Sequence, residues 1–173
     1  MLEIGMICAE AGEKIAKVSA NMAMAADMEV RARSTATTGA YSSACQRGLP
    51  AILMERGGGG RFTDSEVQAY KRDVKNIMIR MGLLSGEEVH TVQQKNVTRA
   101  EYLEAETDGL WYPVFSAGDT FAGGAVLGTV RDIWGNLLRE YRADDPGIVL
   151  YQTVGLGVKA GDPLIAYGEY VDR

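Results

Sequence analysis

The chain has 173 residues and a formal net charge of −5 at pH 7, and 46% of its residues are hydrophobic. This length corresponds to one ordinary domain or two small ones, with enough apolar residues for a packed core. The acidic balance gives no electrostatic reason to expect nucleic acid or an anionic membrane as a partner. No apolar run approaches the roughly 20 residues of a membrane-spanning helix. We therefore expect a globular protein with neither kind of partner.

Cysteine content and the N-terminal residues bear on the compartment. The two cysteines, Cys8 and Cys45, are too few for a disulfide framework, which favours a reduced setting. The first residues include Glu3 and lack the basic region of a signal peptide. We therefore expect a cytoplasmic protein.

The first fifty residues alternate between helix and strand patterns. Residues 9–26 have apolar side chains at helical spacing and predict a helix. Residues 28–32 alternate weakly and predict a short strand, and the polar residues 34–39 predict a loop. Residues 40–47 predict a short helix that ends at Gly48. This order of elements favours an α/β fold with a parallel sheet.

The segment that follows contains the leading candidate residue. Ala51 to Met54 are all apolar, which predicts a strand covered on both faces, as in a parallel sheet. Glu55 comes directly after this run, at the position where open α/β sheets place their chemistry. The glycines 57–60 allow a tight turn or a close approach to the backbone. The alternative is that Glu55 only accepts hydrogen bonds from this loop or pairs with Arg56 or Arg61.

A long helix is predicted after the glycines. Thr63 and Glu66 have the spacing of a capping box, and Gly82 is suited to end the helix. Helical spacing predicts that its buried stripe consists of Val67, Tyr70, Val74, Ile77 and Met81.

The helical period disappears after Gly82. Residues 84–96 contain turn and polar residues and predict a linker between two lobes. Beyond them, short strand patterns alternate with turns at 100–105, 109–115, 125–131, 137–143, 147–152 and 164–167. A faint repeat, apolar-x-x-Gly-x-x-Leu, occurs at 121–127 and at 158–164. Such a repeat suits a small β-sandwich with two similar halves.

The run from Gly48 to Ala51, followed by Glu55 and the four glycines, resembles the succinylglutamate desuccinylase/aspartoacylase family, near its N-acetyl-diaminobutyrate deacetylases. The resemblance is best over 48–82 and looser over 109–168. It implies a carboxypeptidase-like α/β fold and zinc-dependent hydrolysis of the amide bond of N-acyl amino acids. It also implies that this chain is only the C-terminal portion of such an enzyme.

The resemblance adds detail to the fold and to the site. It implies that residues 1–83 form part of an α/β catalytic-type lobe with a parallel or mixed sheet. Residues 97–173 would then form a small all-β lobe of barrel-sandwich type. It also implies that Glu55 is the catalytic carboxylate, which takes a proton from the attacking water and later protonates the leaving amine.

The zinc ligands implied by the resemblance are missing from this chain. The family uses a histidine and a glutamate in H-x-x-E spacing and a second, later histidine, all upstream of the residues present here. The single histidine, His90, is followed three residues later by Gln93. His90, Cys8 and Cys45 fit no zinc signature, and we interpret them as a surface histidine and two small hydrophobic residues. We therefore predict no metal ligand and no bound cofactor for this chain alone.

Several other residues have side chains or spacings that suit a functional role. The glycines 57–60 lack the Lys-Ser or Lys-Thr of a phosphate loop, and the turn 143–147 lacks the lysine of a lipoyl or biotinyl carrier. Three aromatic residues in the β region suit a substrate mouth, but core packing is the favoured interpretation: Trp111, Tyr112 and Trp134. Arg47 has the chemistry to bind a substrate carboxylate, but it aligns with no family arginine.

Two functions remain open from the sequence. The first is the C-terminal part of a zinc-dependent deacylase of N-acyl amino acids, inactive alone because its zinc ligands are absent. The second is a non-catalytic remnant or a binding or assembly module. The expected partners are a small N-acyl amino acid in the intact enzyme and either a second copy or a complementing upstream segment. The sequence does not select the acyl group or the amino acid.

Overall fold

The computed structural model describes residues 4–8 and 12–171. Within them the chain has three helices and eleven strands. In chain order these are β1 (Ile4–Cys8), α1 (Glu13–Ala25), β2 (Val30–Ser34), α2 (Ala40–Gln46), β3 (Ile52–Glu55), α3 (Asp64–Arg80), β4 (Lys95–Glu104), β5 (Gly109–Pro113), β6 (Thr120–Phe121), β7 (Val126–Arg131), β8 (Leu137–Arg142), β9 (Gly147–Gln152), β10 (Gly157–Val158) and β11 (Pro163–Val171). The fold is therefore mixed α/β, as predicted.

The described residues divide into two compact units. The N-terminal unit contains the residues up to Thr98 together with Val171, and the β unit contains Arg99–Tyr170. The N-terminal unit holds the three helices, and every element that lies within Arg99–Tyr170 is a strand.

The strands of the N-terminal unit follow the order β3-β1-β2-β4. β1 is parallel to β2, with Ile4 opposite Val30, and antiparallel to β3, with Ile4 opposite Glu55. The prediction of β3 as a parallel strand covered on both faces is wrong, because β3 is antiparallel and lies at the end of this order. Residues 51–54 are half-buried, so the run is not enclosed on both faces. β1 was not predicted.

Local sequence signals place the helices correctly. The predicted capping box is confirmed, since Thr63 Oγ1 accepts from Glu66 N at 3.2 Å and Glu66 Oε2 accepts from Thr63 N at 2.6 Å. α3 ends as predicted at Gly82, whose φ is +72°. Leu83 N donates to Met78 O at 2.8 Å, which completes a Schellman-type end. The predicted start of the first helix at residues 9–11 lies outside the described residues, and α1 begins at Glu13.

The face that α3 buries differs from the predicted stripe. Val74 and Met81 are exposed, and the buried residues of the helix are Ala69, Asp73 and Asn76. Val67, Tyr70 and Ile77 of the predicted stripe are half-buried, so apolar spacing located one side of the buried face. It missed the other side, because Asp73 and Asn76 are polar. Their burial is possible because both have hydrogen-bond partners on other segments.

The β unit contains the strand orders β11-β9-β6 and β10-β5-β7-β8. Its core is built from apolar and aromatic side chains that include Trp111, Leu127, Leu164 and Tyr167. The two copies of the predicted repeat have the same local structure. Ala125 N donates to Ala122 O in one turn, and Asp162 N donates to Lys159 O at the matching positions of the other.

The core interpretation of the three aromatic residues is correct for one of them. Trp111 is 2% exposed and packs edge-to-face on Tyr141, with 5.7 Å between the ring centroids. Tyr112 and Trp134 are 43% and 79% exposed, so the core interpretation is wrong for both. Tyr112 lies next to Trp111 in β5, and alternation along a strand directs the two side chains to opposite faces. Among the described residues, no helix is both long enough and apolar enough to cross a membrane.

Candidate functional site

Glu55 is the last residue of β3 and its side chain is exposed. Among the described residues, its carboxylate forms no hydrogen bond and no ion pair. The alternative in which Glu55 pairs with Arg56 or Arg61 is therefore not the arrangement found. An unpaired carboxylate at a strand end is available to a substrate, whereas a carboxylate held by a neighbouring guanidinium is not.

The guanidinium of Arg56 points away from Glu55 into a buried network. Arg56 Nε donates to Asp73 Oδ2 at 2.8 Å, and the two side chains are 1% and 0% exposed. A second Arg56 nitrogen donates to the carbonyl oxygen of Asp27 at 2.8 Å. Asp73 Oδ1 in turn accepts from Asp27 N at 2.8 Å. This network therefore joins the residue after Glu55 to α3 and to the segment between α1 and β2.

Tyr70 of α3 holds the backbone on both sides of Glu55. Its hydroxyl donates to the carbonyl oxygen of Met54 at 3.1 Å and accepts from the amide of Arg56 at 2.9 Å. The guanidinium carbon of Arg56 also lies 5.8 Å from the centroid of the Tyr70 ring. α3 thereby connects directly to the strand end that carries Glu55.

The other end of β3 is held by α1 and α2. Ser19 Oγ accepts from the amide of Ala51 at 3.1 Å, and Ser19 is fully buried. Cys45 Sγ donates to the carbonyl oxygen of Ala51 at 3.5 Å. β3, which pairs with β1 alone among the described strands, is thus fixed by helical side chains at both ends.

The glycine loop follows Arg56 and depends on Gly57. Gly57 has φ +75°, a conformation that side chains with a Cβ rarely adopt. A Cβ there would lie 3.1 Å from Arg61 O and 3.3 Å from Glu66 Oε1. Arg61 N donates to Gly58 O at 3.2 Å, which closes a tight turn. The loop therefore turns the chain directly from Glu55 to the capped start of α3.

Asp27 fixes the segment after α3 to the same network. Its buried carboxylate accepts from Thr91 N at 2.7 Å, from Thr91 Oγ1 at 2.6 Å and from Val92 N at 3.1 Å. Arg72 Nε donates to it at 2.9 Å. Burial raises the pKa of Asp27, but the bonds from Thr91 and Val92 and the charge of Arg72 outweigh it and leave the pKa below 3.8. The segment predicted as a linker is thus hydrogen-bonded to the N-terminal unit.

The residues weighed as metal ligands are used in other ways. His90 is exposed and its Nε2 lies 2.9 Å from Glu88 Oε2, and Glu88 also pairs with Arg80. Cys45 is a buried free thiol, as interpreted from the sequence, and the Cys8 side chain lies outside the described residues. In the described part of the chain, no three His, Cys, Asp or Glu side chains are grouped to hold a metal ion. These donors therefore do not fit a catalytic zinc ion.

The β unit has an open groove with a volume of about 560 Å³. It is lined by Thr120, Phe121, Ala122, Pro146, Gly147 and Glu169. The sequence reasoning did not find this groove, because its lining comes from three separate stretches of the chain. It also missed Arg56, Asp73 and Asp27 as organisers of the Glu55 segment. The sequence signal for this network was the spacing of Tyr70 and Asp73, which are three residues apart and therefore lie on one face of the predicted helix.

Comparisons with known proteins confirm the resemblance noted in the sequence. The chain is 28% identical over 127 residues to the N-alpha-acetyl-L-2,4-diaminobutyric acid deacetylase of Halomonas elongata, covering 70% of this chain and 37% of that protein. No protein-family model matches the chain.

Solved structures share its fold. The product-bound ectoine utilization protein EutE (DoeB) of Ruegeria pomeroyi superposes with a TM-score of 0.84 at 22% identity, covering 97% of this chain and 53% of that one. A succinylglutamate desuccinylase/aspartoacylase of Rhodobacter sphaeroides superposes with a TM-score of 0.80 at 21% identity, covering 99% and 54%. The chain therefore has the fold seen in this family and spans about half the length of these solved relatives.

Proposed function

We propose that this chain is the acid-bearing, C-terminal portion of a cytoplasmic enzyme that hydrolyses the amide bond of N-acyl amino acids. The observation that carries the proposal is Glu55, a carboxylate that has no hydrogen-bond or ion-pair partner among the described residues and is held at the end of β3 before a glycine loop. The similarity to a deacetylase of N-acetyl-diaminobutyrate supports the substrate class. The fold shared with succinylglutamate desuccinylase/aspartoacylase proteins supports the reaction type.

In the proposed reaction Glu55 is the general base and then the general acid. It accepts a proton from the water that attacks the acyl carbonyl carbon, and it donates a proton to the amine nitrogen as the C–N bond breaks. Glu55 is exposed and forms no ion pair within the part of the chain that the structure describes, which suits both steps because no guanidinium there must be displaced before the carboxylate accepts the proton.

The described residues of this chain do not form a site for the zinc ion of the enzymes that it resembles. We therefore propose that the metal ligands come from a complementing upstream segment, and we expect this chain alone to be inactive. The purified chain should contain no stoichiometric zinc by elemental analysis. It should also release no amine from N-acetyl-2,4-diaminobutyrate or related N-acyl amino acids.

We also propose that the two units correspond to the two lobes implied by the resemblance. The N-terminal unit would be part of the carboxypeptidase-like catalytic lobe. The β unit would be the small barrel-sandwich-type lobe. Two features support this assignment, namely the confinement of helices to the first unit and the repeated turn in the second.

The decisive experiment adds an upstream segment that bears H-x-x-E and a later histidine, in cis or in trans. Hydrolysis should then appear, and Glu55→Gln should remove most of it while zinc remains bound. Glu29→Gln is the control, because Glu29 is an exposed residue immediately before β2. Stoichiometric zinc with chelator-sensitive turnover from this chain alone would contradict the proposal that zinc binding and activity require the upstream segment. No turnover after complementation would favour the alternative, a non-catalytic binding or assembly module.

A further inference from the structure

We infer that Tyr70 is a positioning residue for Glu55 and that its hydroxyl sets the direction of the catalytic carboxylate. This inference rests on the proposed function for the role of Glu55. The contacts of Tyr70 themselves are independent of that function, so they can be tested separately.

The argument begins with the two peptide groups that flank Glu55. The carbonyl of Met54 belongs to the peptide group before Glu55, and the amide of Arg56 belongs to the peptide group after it. The Tyr70 hydroxyl donates to the first at 3.1 Å and accepts from the second at 2.9 Å. A phenolic hydroxyl has one proton to donate and lone pairs to accept, so it makes both bonds at once.

Fixing both peptide groups fixes the φ and ψ angles of Glu55. The direction of the Cα–Cβ bond follows from these two angles, and the carboxylate is carried on that bond. This control matters because β3 is an edge strand that pairs with β1 alone among the described strands. The Tyr70 hydroxyl therefore replaces, at one point, the restraint that a second strand partner would supply.

A second contact holds Tyr70 in register with the strand end. Asp73 lies three residues after Tyr70 and therefore on the same helix face. It binds the Arg56 guanidinium, which also lies over the Tyr70 ring. The buried Arg56–Asp73 pair aligns helix and strand, and the hydroxyl acts on the Glu55 backbone itself. Removal of the hydroxyl alone should loosen Glu55 without separating α3 from β3.

The first test is Tyr70→Phe, which removes the hydroxyl and keeps the ring. Tyr41→Phe is the matched control. It also removes a partly buried tyrosine hydrogen bond in the same unit, in which the Tyr41 hydroxyl donates to Ser34 Oγ at 2.6 Å. Hydrogen exchange of the Arg56 amide, measured by NMR, should accelerate about tenfold in Tyr70→Phe. It should be unchanged in Tyr41→Phe. An unchanged Arg56 exchange rate in Tyr70→Phe would overturn the inference.

The second test uses the complemented enzyme described above. Tyr70→Phe should lower kcat about 10- to 100-fold, because small displacements of a catalytic group have effects of this size. KM and bound zinc should stay at the wild-type values, and Tyr41→Phe should retain wild-type kcat. A wild-type kcat in Tyr70→Phe would overturn the positioning role and leave the proposed function intact. An inactive wild-type complex would overturn the proposed function, whatever the variant shows.

Discussion

Single residues in the N-terminal unit combine burial with charge. Asp27 and Asp73 are both buried carboxylates, and each has a guanidinium partner and at least one backbone amide donor. Carboxylates that are removed from water remain ionised only when such partners compensate for the lost hydration. Their loss should therefore be costly, and for Asp27 the cost should depend on pH.

Asp27→Asn should lower the free energy of unfolding at pH 7 by about 2–4 kcal/mol, because it removes one partner of a buried, hydrogen-bonded pair. The folded-state pKa of Asp27 lies below 3.8, so the wild type has this stabilisation above the unfolded-state pKa. The stabilisation disappears as the pH falls through the folded-state pKa. Urea unfolding should be measured at about pH 7 and about pH 3. The difference in free energy of unfolding between Asp27→Asn and wild type should be smaller at the lower pH.

The control for this measurement is Asp145→Asn, since Asp145 is exposed in the turn between β8 and β9. It should change stability by less than about 0.5 kcal/mol at either pH. An Asp27→Asn variant as stable as wild type at neutral pH would show that the charge of Asp27 and its pair with Arg72 contribute nothing to stability.

At the scale of elements, α3 connects the site to the rest of the N-terminal unit. Its first turn is capped by Thr63 and Glu66 directly after the glycine loop. One turn further on, Tyr70 and Asp73 contact the residues around Glu55. A frayed first turn would therefore affect the loop and, through it, the end of β3.

Thr63→Ala should lower the free energy of unfolding by about 1 kcal/mol, because the amide of Glu66 loses its capping acceptor. Glu66→Gln is the matched control, since glutamine preserves the reciprocal bond of a capping box. Thermal unfolding followed by circular dichroism measures both variants. Wild-type stability in Thr63→Ala, together with a loss of stability in Glu66→Gln, would indicate that the charge of Glu66, rather than the box, stabilises this turn.

At the scale of the whole molecule, the exposed edge of β3 predicts self-association. β3 is at the end of its strand order, and unpaired edge strands are sites where a second chain can add. Size-exclusion chromatography with light scattering should give a mass above that of one chain, increasing with protein concentration. A constant monomer mass over a wide concentration range would contradict this prediction.

The sequence determined much of this protein through local signals. The helices, the capping box, most strands of the β unit and the position of Glu55 at a strand end follow from contacts between residues close in the chain. The run from Gly48 to Glu55 also carried the family resemblance that the comparisons confirm. β6 and β10 were missed because a two-residue strand has too short a pattern to recognise.

Only the tertiary structure decided the direction and neighbours of β3 and the buried face of α3. An apolar run has no signal for parallel or antiparallel pairing, because that choice depends on which distant strand lies beside it. The polar face of α3 is buried because folding brings Arg56 and Asp27 to Asp73, across 17 and 46 residues of chain. The two bonds from Tyr70 likewise exist only once helix and strand have packed. Satisfying buried polar groups is a property of the assembled fold, and so the surroundings of Glu55 could not be predicted from periodicity.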